Sequence, residues 1–160
     1  MDQDDYLMRE DAVDIILRYC LEHNTDVFKI FYSLPDNLSE GNREGILKTA
    51  TMPWQYIVRT DIIDDCYFKE DIEYGSDIPY TIKMLVKNKY MTVLDNLNVK
   101  FIKLPTYCNQ SLYFYNYLNQ NSYMNYHTAS GQSNKNKQIN EAFIELQKIK
   151  DEYDYTATIS

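Results

Sequence analysis

The 160-residue chain has little of what punctuates or staples a polypeptide: four glycines, four prolines and three cysteines. So little Gly and Pro excludes low-complexity and collagen-like chains and, with 44% hydrophobic residues, implies packed structure. Cys20, Cys66 and Cys108 are odd in number, far apart and without a C-x-x-C pair. That excludes a disulfide scaffold and a cysteine zinc site, and fits buried thiols in a reducing compartment, so a cytoplasmic location is expected. Basic residues are outnumbered, 16 against 24 acidic, for a net charge of -8. This opposes nucleic acid as a partner, because neutralising phosphates needs clustered Lys and Arg. No apolar run reaches the roughly 18 residues of a membrane helix, and no charged-then-apolar leader opens the chain. A chain that does not span a membrane is expected, with peripheral association left open.

Tyrosine is abundant, at 16 residues, which suggests half-polar sheet faces or a carbohydrate-handling surface. Between Arg9 and His23 the apolar residues Val13, Ile16, Leu17 and Cys20 recur at helical spacing behind an acidic first turn, which predicts a helix. Thr25–Tyr32 alternates Phe28, Ile30 and Tyr32 on one face with Val27 and Phe31 on the other, the pattern of a buried strand. Ser33–Gly45 reads as a polar loop. Ile78, Ile82, Leu85 and Val86 share a helical face, and "YMTVLD" and "VKFIKL" read as short strands. After the tyrosine-rich "SLYFYNYL" and a polar linker, Ile139, Ala142, Phe143, Leu146 and Ile149 mark a closing amphipathic helix and a polar tail. Strands alternating with helices predict a three-layer α/β domain.

The opening "MDQDDYLMRE" places Asp2 and Asp4 two residues apart. At a strand end both side chains leave one face and can meet one cation; oxygen ligands suit Mg²⁺ or Mn²⁺. The same residues also read as an acidic helix cap and frayed terminus. An EF-hand is excluded, since counting from Asp2 puts Leu7 at its glycine and Val13 at its closing glutamate.

Three further stretches, "MPWQYIVRTDII", "FKEDIEYGSDIPYTIKML" and "LYFYNYLNQNS", follow "DQDD" in an order that resembles the second half of family 2 glycosyltransferases. That family has a D-x-D-D motif after a strand, a Pro-Trp segment with a basic residue beyond it, an acidic turn opening a helix, and an L-Y-x-Y strand leading to a Ser. The resemblance implies a partial GT-A fold, a nucleotide-diphosphate sugar as donor, a carbohydrate or glycoconjugate acceptor, and transfer with inversion, as in polysaccharide biosynthesis. It also implies that Asp2 and Asp4 handle the diphosphate and its Mn²⁺ or Mg²⁺, that Asp5 orients the site, and that Asp77 is the general base on the acceptor hydroxyl. A cation would then carry the positive charge that the composition lacks.

Ser76 stands where that family has a glutamate beside the base, and "GSD" before an apolar run also reads as a helix N-terminus capped by Ser76 or Asp77. Trp54, the single tryptophan, reads as core or as a ring floor for a sugar. Arg59 reads as a phosphate contact or a plain surface residue. His127 reads as a solvated loop residue or a third metal ligand, and His23 as a favourable charge at a helix C-terminus. By the resemblance, residues 1–127 form the second half of a GT-A domain without its early nucleotide-binding βα units, followed by a linker, helix and tail over 128–160. A non-catalytic remnant or interaction module of the same fold is the alternative function.

Overall fold

The structure, a computed structural model, describes residues 5–41, 43–44, 52–68, 70, 76–116 and 132–153, with side chains from residue 140 onward in the last stretch. In chain order its main elements are β1 (Tyr6–Leu7), α1 (Ala12–His23), β2 (Val27–Ser33), β3 (Tyr56–Val58), α2 (Asp77–Lys87), β4 (Met91–Val93), β5 (Val99–Phe101), β6 (Thr106–Phe114) and α3 (Gln132–Glu152). They fall into two interleaved units, one drawn from Met1–Ala50, Trp54–Val58 and Thr106–Gly131, the other from Thr51–Pro53, Arg59–Pro105 and Gln132–Ser160.

The first unit is built on a mixed sheet of order β1-β6-β2-β3. β2 and β6 run parallel, while β1 and β3 flank them antiparallel. Phe28, Ile30, Cys108, Leu112 and Tyr113 join Ala12 of α1 in one buried cluster, against which Ile15, Ile16, Tyr19 and Cys20 pack. The strand predicted from Phe28, Ile30 and Tyr32 is therefore present, and it continues to Ser33. β6 is less regular. Its pairing with β2 steps from Ile30↔Cys108 to Phe31↔Ser111 and then to Tyr32↔Tyr113. These shifts break the two-residue alternation, so the consecutive residues Leu112 and Tyr113 both enter the core. Midway along β2, the half-buried Lys29 holds its ammonium 5.6 Å from the Tyr56 ring and 5.7 Å from that of Tyr107, its neighbours on β3 and β6.

α1 begins at Ala12 rather than Arg9. Asp11 precedes it without capping it, because its carboxylate is taken by Arg9 through Nε at 2.8 Å and a second guanidinium nitrogen at 2.9 Å. The helix closes on Asn24 in the left-handed region, whose N–H donates to the Cys20 carbonyl. Its face differs from the expected one. Val13 and Leu17 are 53% and 56% exposed, and Leu21 beyond them is 84% exposed. The helix carries two apolar stripes, and the one made by Ala12, Ile15, Ile16, Tyr19 and Cys20 takes the sheet.

In the second unit α2 buries Pro79, Ile82, Met84, Leu85 and Val86. Pro79 is tolerated because the first turn has no intrahelical N–H bonds to lose. The helix ends where the Tyr90 N–H reaches the Leu85 carbonyl at 2.8 Å and the Lys89 N–H reaches Val86 at 3.0 Å. Lys89 stands at φ 63, so this is a Schellman closure with lysine where glycine is usual. β4 and β5, the short strands expected from "YMTVLD" and "VKFIKL", pair antiparallel in a hairpin that turns through Leu97 at φ 60. Ala142, Leu146 and Ile149 supply the buried face of α3, while Phe143 is 47% exposed. α3 starts at Gln132, inside the stretch expected to be a polar linker. Once a helix is nucleated, residues such as Ser, Asn and Lys extend it at small cost.

Candidate functional site

Asp5 is the one aspartate of "DQDD" among the described residues; Asp2 and Asp4 lie outside them. It immediately precedes β1 and is only 7% exposed. Its Oδ2 accepts a hydrogen bond from the Tyr113 hydroxyl at 2.5 Å, and its Oδ1 accepts one from the Asn116 backbone N–H at 2.8 Å. A buried carboxylate is expensive unless donors face both oxygens, and here they do. The antiparallel pairs Tyr6↔Phe114 and Leu7↔Tyr113 put β1 beside the end of β6 and bring these donors into reach.

Tyr113 is itself held from the side. Trp54 stacks on it at 5.0 Å with an 8° interplanar angle, meets Tyr115 at 4.8 Å and takes Tyr32 edge-on at 4.4 Å. Burial pushes the Tyr32 hydroxyl up to about 12, with the neighbouring Tyr107 adding to the shift. Trp54 is half-buried and packs among three tyrosines. Asp5 and Trp54, nominated separately in sequence, meet through Tyr113. Nothing local in the sequence marks Tyr113 or Asn116 as Asp5's partners, since 108 and 111 positions separate them.

Ser76 and Asp77 belong to the second unit, where Asp77 is the first residue of α2 and both are half-buried. The Ser76 carbonyl accepts from the Tyr80 N–H at 3.5 Å, but the side chain makes no cap bond. With φ -64 and ψ -22 its backbone is already helical rather than extended, the conformation that a capping hydroxyl needs. Arg59 is exposed and its Nε bonds Asp61 Oδ1 at 2.5 Å; that contact holds Asp61 below the usual carboxylate range. His127 and Ser122 lie outside the described residues.

For a divalent cation, the carboxylate chemistry of Asp2 and Asp4 suits Mg²⁺ or Mn²⁺. Both Asp5 oxygens accept protein hydrogen bonds. Among the described residues no group of three or more His, Cys, Asp or Glu side chains is arranged to hold a metal, and no helix is long and apolar enough to cross a membrane.

The arrangement is mixed α/β and corresponds to part of a glycosyltransferase fold. Among solved structures the chain is similar to S. aureus TarS 1–349 in complex with UDP, with a TM-score of 0.50 and 18% identity over 72% of this chain and 34% of that one. It is likewise similar to S. aureus TarS 1–349 alone, with a TM-score of 0.51 and 17% identity over the same shares. The chain therefore spans about a third of the length of those TarS chains. No protein-family model matches the sequence, and the curated proteins contain no match.

Proposed function

We propose that the chain carries the catalytic half of a family 2 glycosyltransferase, moving a sugar from a nucleotide-diphosphate donor to an acceptor hydroxyl with inversion. The observation that carries this reading is the fold likeness to TarS, whose structure was determined with UDP. In this scheme Asp2 and Asp4 hold Mn²⁺ or Mg²⁺, and the chemistry that the cation supplies is neutralisation of the departing diphosphate. Asp77, at the start of α2, takes the proton of the acceptor hydroxyl as its oxygen attacks the anomeric carbon. Ser76, lacking a carboxylate, takes no part in that proton transfer and stands where the acceptor is contacted.

The test is to incubate the chain with Mn²⁺ and a panel of UDP-sugars and to measure UDP release, which needs no knowledge of the acceptor because water can substitute for it. Release that disappears in Asp4→Ala supports the proposal. The absence of both UDP release and UDP binding at millimolar nucleotide would sink it.

A second reading, a non-catalytic module that binds another polypeptide, is favoured by the exposed stripe Val13, Leu17 and Leu21 on α1. UDP-inert protein that self-associates, with association lost in Leu17→Glu, would select it.

A further inference from the structure

In the first unit α1 packs on the sheet face that carries Phe28 and Ile30. Strand alternation sends Lys29, Phe31 and Ser33 of β2 to the opposite face. There the register sets Tyr56 of β3 and Tyr107 of β6 beside Lys29, and Ser111 of β6 beside Phe31. The side chains agree with that placement. Phe31 and Tyr107 meet at 4.7 Å with 60° between their rings, and the hydroxyls of Ser33 and Ser111 lie 2.8 Å apart. Both rings are exposed, so two adjoining aromatics stand together on the surface.

Lys29 is the odd member of this face. The chain has 24 acidic residues against 16 basic, yet among the described residues this half-buried ammonium has no carboxylate partner. It faces the Tyr56 and Tyr107 rings instead, at 5.6 and 5.7 Å. Burial holds its pKa below the usual lysine value, the direction expected of a charge that loses water without gaining a counter-ion, and an anion seated beside it would oppose that shift.

We propose that this face is a binding site for an acidic saccharide, whose ring lies on Phe31 and Tyr107 while its carboxylate or phosphate pairs with Lys29. A sugar presents C–H faces that suit aromatic rings and hydroxyls that need polar partners. The serines next to Phe31 supply one. With the Ser111 hydroxyl donating to the Met8 sulfur at 3.6 Å, Ser33 donates to Ser111 and keeps its lone pairs for a sugar hydroxyl. The proposal rests on the transferase reading only for its choice of a saccharide over an acidic peptide.

Calorimetry on the full chain tests it with four ligands: tetragalacturonate, mannose 6-phosphate, neutral maltotetraose and the peptide tetraglutamate. Circular dichroism checks that each variant is folded. One or both acidic sugars are expected to bind, and comparison of the two tells carboxylate from phosphate; maltotetraose and tetraglutamate are expected to bind about tenfold more weakly or worse. Lys29→Met, which keeps an apolar stem between the rings, is expected to lose about tenfold or more in affinity, and Phe31→Ala about two- to tenfold. Absence of binding by both acidic sugars at millimolar concentration overturns the proposal. So does equal binding of maltotetraose or tetraglutamate, or affinity unchanged in Lys29→Met or Phe31→Ala. The same samples are assayed for UDP binding and release, so the two readings fail separately. UDP release without acidic-sugar binding removes this site alone, whereas acidic-sugar binding by UDP-inert protein removes the transferase reading and leaves the site.

Discussion

The indole of Trp54 lies 8° from parallel with the ring of Tyr113 at 5.0 Å, so the chain's single tryptophan braces the residue that donates to buried Asp5. Removing it leaves three tyrosines without their common partner. Trp54→Ala is expected to lower the stability of the first unit by about 3 kcal/mol, and Trp54→Phe, which keeps a ring, by about 1 kcal/mol. Urea unfolding followed by circular dichroism reads both; equal losses would mean that stacking contributes nothing.

Asp77→Asn keeps the size and position of the side chain but removes its basicity. Sugar transfer is expected to fall roughly 10²- to 10⁴-fold with donor binding unchanged. Because the Ser76 side chain makes no cap bond, Ser76→Ala should change stability by less than about 0.5 kcal/mol. A large stability loss in Asp77→Asn with transfer intact would reassign Asp77 to the helix start alone.

Lys89 and Leu97 occupy left-handed backbone at φ 63 and φ 60, where a Cβ is strained. Replacing either by glycine is expected to raise stability by about 0.5 to 1 kcal/mol, the two gains adding if the sites are independent. A melting temperature that falls in either variant would show that the lost side chain outweighs the relieved strain.

The Oγ1 of Thr81 on α2 is buried and has no hydrogen-bond partner among the described residues. Thr81→Val exchanges that hydroxyl for a methyl of similar shape and is expected to stabilise by about 1 kcal/mol. Denaturant titration checks this, and a loss of stability would mean that the hydroxyl is satisfied in solution.

Lys87 bonds the carboxylates of both Asp64 and Asp65. The ammonium holds Asp65 below the usual carboxylate range, and the carboxylates raise Lys87 in turn. A depressed carboxyl contributes stability above its unfolded value and loses it as pH falls through the folded one. The difference in stability between the parent and Lys87→Met should therefore be full near neutrality, begin to fall below about pH 4 and disappear at lower pH as the folded carboxyl is protonated, and shrink in high salt because the two carboxylates are exposed. Stability measured from about pH 2 to 7 at two ionic strengths decides it; a gap that persists at the acid end would point to lost packing of the lysine stem.

Where periodicity matched one buried face, as in β2 and α2, the sequence alone located the element to within a residue or two at its clear ends. α1 shows the limit of that signal. With Val13, Leu17 and Leu21 on one stripe and Ala12, Ile15, Ile16, Tyr19 and Cys20 on another, only the sheet decides which is buried. The start of β6 was illegible for a different reason: its register shifts destroy the alternation by which a strand is recognised. The anchoring of Asp5 could not be read because its donors among the described residues, Tyr113 and Asn116, stand 108 and 111 positions away and one of them is a backbone N–H, which carries no residue-type signature.

The interleaving of the two units bears on how the protein emerges from the ribosome. β6 lies between β1 and β2 in the sheet, yet it is synthesised after both and after the whole 59–105 stretch of the other unit. Until residue 114 has left the exit tunnel, β1 has no strand to pair with, and the apolar side chains of β2 wait in a nascent chain whose core is unfinished. Such long-range closure is slow and leaves strand edges available to other chains. Translation that stalls before Thr106 would release a polypeptide with half a sheet, one that depends on holding chaperones to stay out of aggregates.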